Sequence, residues 1–263
     1  MTVRKTIELH QRIEGPEDAP VLVLSNSLGT TLQMWRDQAP ALRERFRLVR
    51  YDHRGHGGSP VPPGPYAIDD IGRDVLALLD SIGAQRISFC GLSLGGMVGM
   101  WLASEAPDRV ERLVLCCTSA RFAPDTFDSR ARTVRAEGVS AIADAVVERW
   151  FTPTFREGSP EVAEWAWRML LHTPDEGYAS CCEAVRDADL SGRLGTISTP
   201  TLVIAGADDP AAPPDKAELI SGSIPNASLE VIPDAAHLAN VEQPEAITQA
   251  ILYHLSPVIR EAR

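Results

Sequence analysis

Basic residues are in short supply: 25 lysines and arginines face 36 aspartates and glutamates, for a formal charge of −11. No basic run breaks that acidity, which does not fit a nucleic-acid binder, since such proteins gather cations on one face. Cysteine is sparse too. The five present (Cys90, Cys116, Cys117, Cys181 and Cys182) form no CxxC, no Cys/His spacing suited to zinc and, being odd in number, no disulfide framework. A reducing cytoplasm is the expected compartment, with no metal. The opening MTVRKTIELH lacks the apolar core of a signal peptide, so export is not expected. One stretch, Ile87 to Ser104, is uncharged throughout, and in it Gly91, Gly95, Gly96 and Gly99 surround a serine. That pattern reads as a tight turn into a buried helix, and not as a membrane span. The 19 glycines show no period and the chain is 44% hydrophobic, so collagen-like and disordered classes fall away.

What the sequence does contain is alternation. Val21 to Leu24 is a continuous apolar run, as a strand buried on both faces requires, and Phe46 to Tyr51, Ile87 to Cys90, Leu113 to Cys117, Thr201 to Ala205 and Leu229 to Ile232 read alike. Between them Ile71, Val75, Leu78, Leu79 and Ile82 recur at helical spacing before Gly83. The prediction is an α/β fold with a mostly parallel sheet covered by helices on both faces. From about Ala120 to Leu190 strand signals vanish and helical patterns take over. Residues 120–190 are therefore expected to form a helical lid over a core made of 1–119 and 191–263, above the strand ends where open α/β sheets bind ligands.

Gly91 to Gly95 is a G-x-S-x-G match that follows a predicted strand and opens a predicted helix, the context of a nucleophile elbow. The glycines two before and two after Ser93 keep side chains out of a strained turn that projects its hydroxyl. A serine needs a base, and His237, in the loop after the last predicted strand, is placed to supply it; His10, His172 and His254 lie in peripheral or lid positions. The imidazole needs a carboxylate. Asp208 and Asp209 follow the strand Thr201 to Ala205 and compete for this role; Asp209 is preferred because Gly206 ends the strand and the loop then turns toward the histidine, while Asp208 reads as a turn residue. The predicted oxyanion donors are the backbone N–H of Leu94, next after the nucleophile, and that of Leu28 in the loop after Val21 to Leu24.

With these residues in place the chain resembles the α/β-hydrolase superfamily over nearly its whole length, through the elbow, Asp52 to Ser59 (DHRGHGGS) and the acid and histidine loops. Within it, the chain is similar to the 3-oxoadipate enol-lactonases. That narrower likeness rests on Ser25 to Thr30 (SNSLGT) with Met34 and Trp35, on Gly64 to Ile68 with Gly72 to Leu76, and on Arg149 to Pro153 (RWFTP) and Gly177 to Asp187 in the lid. The resemblance implies a small anionic lactone as substrate, 3-oxoadipate as product, an acyl-enzyme on Ser93 and no cofactor. A substrate bearing a carboxylate needs a local cation in so acidic a protein. Arg132 and Arg135 are the first candidates, followed by Arg168 and Arg186; Trp150 is a candidate for the pocket wall or for packing within the lid. The alternatives are a carboxylesterase or perhydrolase with the same triad, and a non-catalytic small-molecule receptor. No nucleic-acid or membrane partner is expected, and assembly into a homo-oligomer is left open.

Overall fold

In the computed structural model, which describes residues 5–256, a seven-stranded sheet runs in the order β1-β3-β2-β4-β5-β6-β7. The first four residues of the stretch read above for export lie outside the described residues. The strands are β1 (Gln11–Glu14), β2 (Val21–Ser25), β3 (Arg47–Tyr51), β4 (Ile87–Leu92), β5 (Val110–Cys116), β6 (Thr201–Gly206) and β7 (Ala227–Ile232). All neighbours are parallel except β1, which pairs antiparallel with β3. The helices are α1 (Ala39–Leu42), α2 (Ile68–Ser81), α3 (Leu94–Glu105), α4 (Pro124–Glu137), α5 (Ala143–Trp150), α6 (Pro153–Gly158), α7 (Pro160–Leu171), α8 (Asp175–Asp187), α9 (Pro214–Ser223), α10 (Ala239–Glu242) and α11 (Pro244–Leu255).

Every predicted strand is present. The unpredicted one is β1, a polar edge strand whose two inner residues are exposed and whose two outer residues are half-buried. Winding reverses at β2, which has β3 on one side and β4 on the other. The carboxyl ends of β2 and β4 therefore flank a topological switch point, where open sheets of this kind bind ligands. Register puts Ser25, the last residue of β2, beside Gly91 of β4, two residues before Ser93.

The uncharged stretch from Ile87 is β4 followed by α3, which is buried from Leu94 through Ala103. None of the described helices is long and apolar enough to cross a membrane. α2 packs on α3 because Gly72 leaves room for the Trp101 ring; a Cβ there would stand 2.1 Å from it. The Trp101 indole N–H donates to Asp69 Oδ1 at 2.8 Å.

Between β5 and β6 the chain is helical, with α4 to α8 and no strand. α4 and α8 lie side by side, tied by Arg135 to Glu176 and Glu183. This layer rests on the loops after β2 and β3. A Cβ on Gly29 would stand 2.6 Å from Leu170, and one on Gly177 would stand 2.1 Å from the carbonyl oxygen of Gly55, so backbone meets backbone there.

The loop Asp52 to Ser59 turns out to be a scaffold. Asp52 accepts the backbone N–H groups of Leu32 at 2.7 Å and Gly58 at 2.9 Å. Arg54 is buried and reaches Asp74 of α2 with two hydrogen bonds, of 2.6 and 2.8 Å. His56 accepts the Gly29 N–H at 2.9 Å through Nε2, and its Nδ1–H donates to the Arg54 carbonyl at 3.2 Å. The motif thus binds the loop after β3 to α2 and to the loop after β2.

Candidate active site

Ser93 occupies the single residue between β4 and α3 with φ 56° and ψ −111°. A positive φ costs a non-glycine residue roughly 1–3 kcal/mol, so the surroundings must impose it. They do: the Ser93 N–H donates to the Cys116 carbonyl at 3.0 Å, and the Thr118 hydroxyl donates to the Ser93 carbonyl at 2.7 Å. Both motif glycines are sterically required. A Cβ on Gly91 would stand 2.1 Å from the Gly95 carbonyl oxygen, and one on Gly95 would stand 2.3 Å from that of Ser25.

His237 lies in the loop after β7. Its Nδ1–H donates to Asp209 Oδ2 at 2.8 Å, which leaves Nε2 as the basic nitrogen. Asp209 is buried, and its other oxygen accepts the backbone N–H groups of Ala211 at 2.8 Å and Ala212 at 3.0 Å. Asp208 is exposed, makes its backbone bond to the Ala235 carbonyl at 2.9 Å, and faces a separate cleft with Glu148 and Asp234. Of the two aspartates, it is Asp209 that meets the histidine.

The loop carrying Leu28 is held by its own unusual sequence. Asn26 donates to the Tyr51 carbonyl at 2.7 Å and accepts the Trp35 indole N–H at 3.1 Å. Its carbonyl accepts the Gly95 N–H at 3.0 Å, so this loop and the start of α3 are joined directly. The His53 Nε2–H, at 3.0 Å, donates to that same carbonyl. Leu94 is the first residue of α3, where a backbone N–H has no intrahelical acceptor.

Ser93 and His237 line one cavity of about 230 Å³ together with Ser27 and Leu28 from the sheet edge. The loop after β6 adds Pro210 and Ala211, and the helical layer supplies the rest of the wall, including Phe127 and Arg130 of α4, Arg149 and Trp150 of α5, and Tyr178 of α8. The space is small, which suits a compact ligand. Trp150 lines this cavity, is almost fully buried, and accepts the Leu238 N–H at 2.9 Å through its carbonyl.

Two expected residues are not in the cavity wall. Arg132 is exposed and pairs with Asp128 one turn away at 2.7 Å, and Arg135 is consumed by Glu176 and Glu183 at 2.7 to 3.0 Å. Arg168 and Arg186 are likewise paired, with Glu164 and with Asp128 and Asp187. The arginines that do reach the cavity, Arg130 and Arg149, went unselected in the sequence. Arg149 stands beside Trp150 in the RWFTP segment, and that adjacency was the available signal. Among the described residues no cluster of His, Cys, Asp and Glu is arranged to hold a metal ion.

Residues 20–244 match the model of the alpha/beta hydrolase fold family. The chain is 42% identical to 3-oxoadipate enol-lactonase 2 of Acinetobacter baylyi over 93% of its own length and 92% of that protein's. It is 32% identical to a putative carbamate hydrolase RutD of Variovorax paradoxus, covering 95% of this chain and 97% of the relative. Among solved structures, the enol-lactonase from Burkholderia xenovorans LB400 superposes with a TM-score of 0.93 at 44% identity, covering 95% and 96% of the two chains. With an elbow serine, a histidine–aspartate pair and a cavity that joins them, the chain belongs to the alpha/beta hydrolase family and is similar to its 3-oxoadipate enol-lactonases.

Proposed function

We propose that this protein opens 3-oxoadipate enol-lactone to 3-oxoadipate with Ser93 as nucleophile, His237 as general base and acid, and Asp209 as the group that orients the imidazole. The observation that carries the reading is the His237–Asp209 hydrogen bond of 2.8 Å beside a cavity shared with Ser93. Its support as to substrate is the likeness to proteins named 3-oxoadipate enol-lactonase. In this reading Ser93 Oγ attacks the lactone carbonyl and passes its proton to His237 Nε2. The N–H groups of Leu28 and Leu94 hold the oxyanion, each worth about 3 kcal/mol in the transition state. The ring C–O bond then breaks. The leaving oxygen is an enolate, whose charge is delocalised; it takes the proton from His237, and the enol tautomerises to the ketone. Water, giving its proton to His237, attacks the acyl-enzyme, and Ser93 departs with that proton. The scheme calls for no cofactor.

Residues 120–190 act in this reading as the cap over a core of 1–119 and 191–263, and the five buried free thiols fit a reducing cytoplasm. The test is the loss of enol-lactone absorbance with purified protein, set beside turnover of p-nitrophenyl acetate. Rapid lactone opening supports the proposal. Feeble lactone opening beside rapid ester cleavage selects a carboxylesterase instead. A second reading, hydrolysis of a carbamate, is favoured by the likeness to the RutD proteins and predicts ammonium release from carbamate with the lactone untouched.

A further inference from the structure

The helical layer holds eight arginines, and five of them, Arg121, Arg132, Arg135, Arg168 and Arg186, are paired with carboxylates on the same layer. Arg130, Arg149 and Arg156 are not paired in this way among the described residues, and of these three Arg130 and Arg149 line the cavity. Among the described residues neither has a carboxylate within ion-pair distance; Arg130 lies over the Phe127 ring, 5.1 Å from its centroid. Both are half-buried in the wall of the cavity that contains Ser93 and His237. Their charges oppose each other. Burial and the neighbouring Arg130 both push the Arg149 pKa down. Tyr178 adds a third feature, since its hydroxyl is buried, meets no partner at hydrogen-bonding geometry, and lies near enough to both arginines to feel their charge.

Two unneutralised cations side by side in a protein of charge −11 are an unfavourable arrangement unless an anion completes it. We propose that Arg130 and Arg149, with the Tyr178 hydroxyl, form a carboxylate-binding subsite that selects acyl groups bearing a negative charge distal to the scissile carbonyl. The inference deepens the function proposed above and takes the same cavity, but it commits only to an anionic acyl chain and not to one lactone. Two planar forks and a hydroxyl match the acceptors of one carboxylate, whose hydrogen bonds to charged donors are the strong kind.

The test compares mono-p-nitrophenyl succinate, with an anionic acyl chain, and p-nitrophenyl butyrate, its neutral counterpart of similar length. The quantity read is the ratio of kcat/KM for the anionic ester over the neutral one. In the unmodified protein it should exceed one. In Arg130→Gln and in Arg149→Gln it should fall by about tenfold or more, chiefly through KM. Arg130→Lys and Arg149→Lys, which keep the charge, should retain part of the preference. A ratio of one or less in the unmodified protein, which needs no variant to fold, overturns the subsite. So does a ratio that both glutamine variants leave unchanged. If the unmodified protein ignores enol-lactone yet the ratio collapses in the variants, the subsite stands and the lactonase reading falls.

Discussion

Glu242 accepts the backbone N–H of Ala236, the residue before His237, at 2.8 Å. Its other carboxylate oxygen accepts both the N–H of Thr152, at 3.0 Å, and the Thr152 hydroxyl. One buried carboxylate therefore clamps the histidine loop to the chain just after α5, next to Trp150, which itself takes the Leu238 N–H. Glu242 does not line the cavity that holds Ser93, so the role expected of it is to position the His237 loop. In Glu242→Ala three donors lose their acceptor, at about 1–3 kcal/mol for each that stays buried. Misplacing the imidazole should lower kcat by about 10- to 100-fold with little change in KM. Steady-state kinetics beside thermal melts checks this; a lower melting temperature with unaltered kcat would show that the clamp serves folding alone.

The two neighbouring aspartates should behave very differently. Asp209→Asn removes the acceptor that fixes the His237 tautomer and should cost on the order of 10⁴ in kcat. Asp208→Asn, altering an exposed side chain on another cleft, should stay within about threefold, as remote surface changes do. Kinetics of the two variants on enol-lactone and on p-nitrophenyl acetate decide it. A crippled Asp208→Asn beside an active Asp209→Asn would transfer the orienting role.

The buried histidines make stability depend on pH. Burial, aided by the neighbouring His56, pushes the His53 pKa from the usual 6.5 down to about 3, so the folded protein keeps it neutral. Above the unfolded value neither state binds the proton and nothing is gained or lost. Below it the unfolded chain takes a proton that the folded chain refuses. Stability then falls through the window from 6.5 toward 3, by about 1.4 kcal/mol per pH unit for this group. His56 is shifted in the same direction, again by burial first. Urea midpoints measured between about pH 6 and 4 should show a slope that His53→Asn reduces by one proton. Equal slopes in both proteins would mean that His53 is protonated in the fold.

Much of this architecture was written in the chain, and the failures have physical causes. β2, β4 and β6 are buried on both faces, so their apolar runs stand out against polar loops. β1 is a polar edge strand, QRIE, whose place is set by pairing with β3, a partner 34 to 40 positions away in the register. The elbow was legible because sterics demand glycine at two fixed offsets. Asp209 could be chosen over Asp208 only by reasoning about where the loop turns. The cavity arginines were not legible. On α4, Arg130, Arg132 and Arg135 look alike as letters, and only the packing of α4 on α8 decides that Arg135 meets Glu176 and Glu183 while Arg130 meets the cavity.

Arg54 and Asp74 form a buried pair between the loop after β3 and α2, both nearly inaccessible to solvent. Asp74→Asn would strand a guanidinium in the interior and should destabilise the protein by about 3–5 kcal/mol, read as a drop in the urea midpoint. Replacing both members with apolar residues, Arg54→Met with Asp74→Leu, should recover most of that loss. Failure of the double variant to improve on the single one would assign the cost to the second bond of Asp74, the 3.0 Å acceptance of the Ile7 N–H.

The touching backbones of Gly55 and Gly177 carry an evolutionary implication. In the proposed function the chemistry resides on the strand edge below and discrimination on the helices above, a division that lets the upper tier be redrawn for new molecules while the reaction is kept. Any such exchange must preserve bare backbone at this seam, because a methyl group on either glycine would stand within 2.5 Å of the backbone opposite and force the two tiers to shift.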